Sequence, residues 1–89
     1  MTQLDLFPIE AHLTRIEPAA NMRRFYDLQI APDLFGGYAL TRSWGRIGRS
    51  CTVRIELHDT ESAAIGALQA WRDRKRRRGY ALTTLNAGN

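Results

Sequence analysis

Cysteine is nearly absent from this chain. Cys51 is the single one among 89 residues, so no internal disulfide can form, and this suits a reducing cytoplasm. No apolar run approaches the roughly 20 residues that a bilayer-spanning helix needs. The N-terminus has no basic region followed by an apolar stretch, so the sequence reads as having no signal peptide. His12 and His58 stand far apart, and no grouping has metal-ligand spacing. No Gly-rich phosphate loop precedes a helix, and neither Ser43 nor Ser50 has an evident base. A deep catalytic cavity would take a large share of so small a core. No catalytic residue, metal or cofactor is therefore expected, and the chain reads as a non-enzymatic binding module.

Lysine is as scarce as cysteine: twelve of the thirteen basic residues are arginine. Arginine makes forked contacts to phosphate and stacks on flat groups. The net charge is +4 and the isoelectric point about 10.0, which fits an acidic partner. The charge is concentrated. Residues 72–78, Arg-Asp-Arg-Lys-Arg-Arg-Arg, hold a local +5, and +4 less +5 leaves the rest of the chain at −1. On a helix, Arg72, Lys75 and Arg76 share one face, as do Arg74, Arg77 and Arg78. One or two basic residues would serve the helix dipole and solubility. Six in seven suit phosphate contact better, with steeply salt-dependent binding.

The hydrophobic pattern predicts a single α+β domain: four antiparallel strands with one helix laid across the sheet. The strands are placed over residues 10–17, 22–30, 38–47 and 51–58. Pro18 opens the first turn and Asn21 suits an unusual dihedral within it. Pro32, Asp33, Gly36 and Gly37 mark a loop. In the fourth strand Cys51, Val53, Ile55 and Leu57 alternate with Thr52, Arg54, Glu56 and His58, the period of a strand with one buried face. Asp59 or Thr60 caps the helix. Ala64, Ala67, Leu68 and Trp71 form its apolar stripe, and Gly79 ends it in a left-handed conformation. Trp71 and Tyr80 read as core anchors. The domain is expected over residues 10–82, between an extended peptide at 1–9 and a loose tail at 83–89.

The most informative stretch is Thr41-Arg42-Ser43-Trp44-Gly45-Arg46-Ile47-Gly48-Arg49. With Asn21, Arg24-Phe25-Tyr26, the helix from Thr60 and the closing Gly79-Tyr80, it resembles the WGR domain family over nearly the whole chain. The sequence has Cys51-Thr52 where many members carry a Gly-Gln pair. The resemblance implies DNA binding. WGR domains of DNA-damage-activated poly(ADP-ribose) polymerases bind near a strand end, their Trp against the terminal nucleotide and their Arg in domain contacts. Those roles would fall to Trp44 and Arg46. Simple chemistry points the same way. A Trp face stacks on a base or sugar, Gly45 lets a ligand backbone approach, and Arg42, Arg46 and Arg49 can reach phosphates. Alternation puts Arg42, Trp44 and Arg46 on one strand face. The alternative is a core Trp44 with arginines lying over it.

A separate signal lies in Gln3-Leu4-Asp5-Leu6-Phe7, which resembles the bacterial sliding-clamp-binding peptide. That resemblance implies hydrogen bonds from Gln3 and burial of Leu6 and Phe7 in an apolar pocket, with Leu4 assisting. A clamp tether would concentrate the module at replicating or repaired DNA, and the setting expected is cytoplasmic and nucleoid-associated. The alternative is an arm lying over the domain's own core. The second class of function is a protein-interaction adaptor that uses the Trp44–Arg46 strand face without DNA.

Overall fold

The computed structural model describes residues 9–86. The chain runs β1 (Ile9–Glu17), a 3₁₀ turn (Pro18–Ala20), β2 (Met22–Pro32), β3 (Tyr38–Arg46), β4 (Cys51–His58), α1 (Glu61–Arg77) and β5 (Ala81–Asn86). The strands form one antiparallel sheet in the order β4-β3-β2-β1-β5. The sheet thus has five strands where four were expected. Residues 83–86 of the expected loose tail belong to β5, which pairs with β1 through Leu82 opposite Leu13 and Leu85 opposite Ala11; residues 87–89 lie outside the described residues. Its short run of Ala-Leu-Thr-Thr-Leu carries little hydrophobic period by itself. Its place is set by β1, whose free edge would otherwise expose unpaired backbone groups.

Local chemistry accounts for the joints. Asn21 takes the left-handed conformation at φ 52, and its N–H donates to the carbonyl of Pro18. Thr60 caps α1, its hydroxyl accepting from the N–H of Ala63 at 3.1 Å, and Glu61 sits at the positive end of the dipole. Gly79, at φ 97, turns the chain out of the helix. The Asp33 carboxylate braces the β2–β3 loop by accepting from the N–H of Phe35 and of Gly37.

The core lies between α1 and one face of the sheet. Ala11 and Leu13 of β1, Tyr26, Leu28 and Ile30 of β2, Leu40 of β3, and Ala64 and Leu68 of α1 are buried. The alternation of β4 has the opposite sense from the one expected. Val53, Ile55 and Leu57 are 50%, 63% and 67% exposed, and Cys51 is exposed as well. The half-buried residues are Glu56 and His58. The reason is topological. β4 is an edge strand, the helix covers one face of the sheet, and among the described residues no second layer covers the other. On the covered side the position nearest the helix is taken by a polar group, because Glu56 accepts a hydrogen bond from Trp71 Nε1 at 3.0 Å.

Candidate nucleic-acid interface

β3 carries the motif residues along the face that meets α1. Arg42 stands opposite Leu28, Trp44 opposite Tyr26, and Arg46 opposite Arg24. The helix passes over the middle of this face and stops at Arg77, leaving its far end open. There Arg24, Trp44, Gly45, Arg46 and Tyr80 line a recess of about 180 Å³. Enclosed small-molecule sites run to about 300–1,000 Å³. This recess is smaller, shallow and ringed by positive charge. Its size suits one phosphate or sugar unit of a chain that continues across the surface.

Trp44 is half-buried, between the two expectations for it. Its ring stacks on Tyr26 with centroids 5.6 Å apart and planes 18° from parallel, while the residue also lines the recess. Tyr26 in turn meets Tyr80 edge-on at 6.4 Å. The recess wall is therefore an aromatic platform fixed from behind by the core.

Arg42 is occupied differently from the phosphate role expected of it. Its guanidinium lies 4.0 Å from the Trp71 ring centroid and 5.3 Å from that of Trp44. It donates to the Tyr26 hydroxyl at 3.0 Å, and its Nε is 2.9 Å from Glu56 Oε2. That nitrogen is buried and off-angle for a hydrogen bond, so the contact to Glu56 is an ion pair. The side chain is only 14% exposed. Arg42 thus holds the two Trp rings, Tyr26 and β4 together from beneath the surface, leaving little of itself for a ligand.

Arg46 donates to the Asn21 carbonyl at 3.1 Å and to Asn21 Oδ1 at 3.3 Å. It ties the end of β3 to the β1–β2 turn and remains open on the recess side. Gly45 lines the recess, but its bare Cα serves the fold first. A Cβ there would stand 3.2 Å from the Ser50 carbonyl oxygen and 3.3 Å from Cys51 Cα, so the close neighbour it admits is β4. Arg49 is exposed in the β3–β4 turn, apart from the recess-lining residues.

The basic end of α1 arrives beside this recess. Lys75 is half-buried, with Nζ 4.7 Å from the Tyr26 ring and 5.7 Å from that of Tyr80. Burial lowers its pKa, and the charges of Arg78, Arg74, Arg42 and Arg24 lower it further. The last of these is a recess residue on β2. The helix block and the motif strand therefore meet at Tyr26 and Tyr80, though far apart in sequence. Arg74 stacks over Trp71 at 4.6 Å, and Arg72 pairs with Asp73 at 3.0 Å. Arg76, Arg77 and Arg78 are exposed around the helix end.

Two recess residues were missed from the sequence. The sequence marks Arg24 as part of a strand motif and Tyr80 as a core anchor. The signal for Arg24 was its spacing from Tyr26, which puts both on the face of the motif once the register is known. Among the described residues no group of three or more His, Cys, Asp or Glu could hold a metal ion, and no helix is long and apolar enough to cross a membrane. The peptide Gln3, Leu4, Asp5, Leu6, Phe7 lies outside the described residues.

Comparison with known proteins yields a match between residues 9–86 and the family model described as WGR domain. The uncharacterized protein y4dW of Sinorhizobium fredii (strain NBRC 101917 / NGR234) is 36% identical over 73 residues, covering 82% of this chain and 36% of the relative. The chain thus spans about a third of the length of that curated relative. No solved structure shows a significant match.

Proposed function

The chain belongs to the WGR domain family, a nucleic-acid-binding type of domain, and from that premise we propose that it binds DNA at the Trp44 recess without catalysing a reaction on it. The observation that carries this reading is the meeting of the motif strand with the arginine-rich helix end. Arg24 and Arg46 line the recess, and Lys75 reaches beside it to within 4.7 Å of the Tyr26 ring and 5.7 Å of the Tyr80 ring. Like charges gathered on one face repel one another. A phosphate chain laid among them relieves that repulsion and releases its own counterions.

In this reading Trp44 and Tyr80 offer ring surface to a sugar or base, while Arg24 and Arg46 hold the flanking phosphates. The exposed Arg76, Arg77 and Arg78 supply attraction that does not depend on sequence. Arg42 fixes the platform from behind. A recess that admits one phosphate or sugar unit favours a strand end or nick, where a terminal unit is free to enter. The Gln3–Phe7 peptide would add a tether to the replication sliding clamp.

Fluorescence anisotropy with labelled intact, nicked and single-stranded oligonucleotides tests the proposal. Trp44→Ala should weaken binding by about 1–3 kcal/mol, the usual worth of one stacked base. Replacing Arg76, Arg77 and Arg78 with Gln should reduce the slope of log K against log salt by about 0.9 for each duplex phosphate that these side chains no longer neutralise. Binding that survives Trp44→Ala and Arg24→Gln but disappears on neutralising the helix end would show simple charge attraction and defeat the recess. Capture by the sliding clamp that is unchanged in Leu6→Ala/Phe7→Ala would defeat the tether.

A further inference from the structure

The face of the sheet away from α1 carries apolar side chains where a solvated strand would carry polar ones. Val53, Ile55 and Leu57 stand in a row along β4, each at least half exposed. β4 is also an edge of the sheet, and among the described residues no strand pairs with its outer side. An exposed apolar edge strand presents its free N–H and C=O groups as a template for another strand. Such edges are commonly guarded by proline, a bulge or charged side chains. Over Cys51–His58 β4 has no proline, its pairing with β3 runs without a break in register, and its two central charges, Arg54 and Glu56, are of opposite sign.

The sequence of β4 is complementary to itself when reversed. An antiparallel pairing of two copies centred on Ile55 sets Val53 opposite Leu57 and Arg54 opposite Glu56, each pair occurring twice about the axis. Moving the centre by one residue faces Arg54 with Arg54 or Glu56 with Glu56. Moving it by two leaves Leu57 opposite Arg49 or Ile55 opposite Asp59. Opposed apolar pairs and opposite charges stabilise a ladder, and like charges directly opposite destabilise it. One register therefore satisfies both the apolar and the charged positions.

We infer that two copies of this chain associate through β4, antiparallel and centred on Ile55, joining their sheets into one of ten strands. The interface is isologous, as a two-fold dimer requires. A twofold axis normal to the sheet keeps both helices on the same side. Resting on the nucleic-acid reading above, the two Trp44 recesses would then face one ligand together, roughly 25 Å apart by strand spacing and rise.

Sedimentation velocity on the full chain, without nucleic acid, tests the association independently of the function. A reversible dimer is expected in the micromolar range, since one strand pair buries less than a standard interface. Arg54→Glu should weaken it by at least about tenfold by turning two attractive pairs repulsive. Ile55→Lys should abolish it, and Arg49→Glu, the same charge change in the adjoining turn, should leave it intact. The register is read by disulfide trapping in a Cys51→Ser background. Ile55→Cys should cross-link with itself, and Val53→Cys should cross-link with Leu57→Cys but poorly with itself. A chain monomeric up to about 500 µM, a dimer indifferent to both Arg54→Glu and Ile55→Lys, or cross-linking without preference for register would overturn the inference. So would a monomer that dimerises only when residues 2–8 are deleted, since the chain's own arm would then occupy the strand.

Discussion

Arg42→Met gives the sharpest account of what holds the motif strand in place. The substitution keeps an unbranched apolar stem between Trp44 and Trp71 and removes only the guanidinium. Arg42 is 14% exposed and its partner Glu56 30% exposed, at 2.9 Å. Losing one partner of a buried ion pair costs about 3–5 kcal/mol. Glu56 retains the Trp71 indole N–H and some contact with water, so the expected cost is lower, about 2–3 kcal/mol. Glu56→Gln leaves the guanidinium its ring faces and the Tyr26 hydroxyl, and should cost about 1 kcal/mol. The double variant carries neither charge. It should therefore be more stable than the sum of the single losses implies, by about 1–2 kcal/mol. Urea denaturation followed by tryptophan fluorescence reads these values. With a slope near 1 kcal/mol/M for a small domain, Arg42→Met should lower the midpoint by about 2 M. Additive single losses would refute the coupling. A fully stable Arg42→Met variant that loses oligonucleotide binding would make Arg42 a ligand contact and refute its positioning role.

Two further outcomes follow from local geometry. Gly37→Ala would place a Cβ 2.6 Å from the His58 carbonyl oxygen and 3.1 Å from Asp33 Oδ2; a loss of about 1–3 kcal/mol in chemical denaturation is expected, as for other overpacked sites. Burial lowers the pKa of His12, but hydrogen bonds to Asp27 and Glu10, together with their charges, outweigh it and raise the value overall. A group with a raised folded pKa stabilises fully below its unfolded value, about 6.5, and that contribution is lost as pH rises through the folded value. The thermal midpoint should therefore fall across this window, and His12→Gln should remove that fall; an unchanged pH profile in the variant would contradict the assignment.

The sheet, its turns and the helix were legible because their signals are local. Asn21, Thr60 and Gly79 each act within three residues of their own position. The fifth strand was not legible, since Ala81–Asn86 takes its conformation from pairing with β1, a partner some seventy residues away in sequence. The alternation of β4 was visible, but its sense was not. Apolar period two states that one face differs from the other, and only the layering decides which face is covered. The site shows the same division. Trp44 and Arg46, which line the recess, stand out by motif, and the helix block by charge. Arg42 looked equally available because sequence cannot show that Glu56 and two Trp rings engage it. Tyr80 and Arg24 came into view only when the register placed them beside Trp44.

The central claim is that the Trp44 face of the recess receives a nucleotide. The two indole N–H signals in a proton–nitrogen correlation spectrum test it most directly, assigned by Trp44→Phe and recorded during titration with a nicked oligonucleotide. Trp44 lines the recess, whereas Trp71 is held by Glu56 and covered by Arg42 and Arg74. The Trp44 signal should shift or broaden in proportion to the bound fraction while that of Trp71 changes little. Saturating binding that leaves the Trp44 indole unmoved, with changes confined to the amides of residues 74–78, would contradict the account.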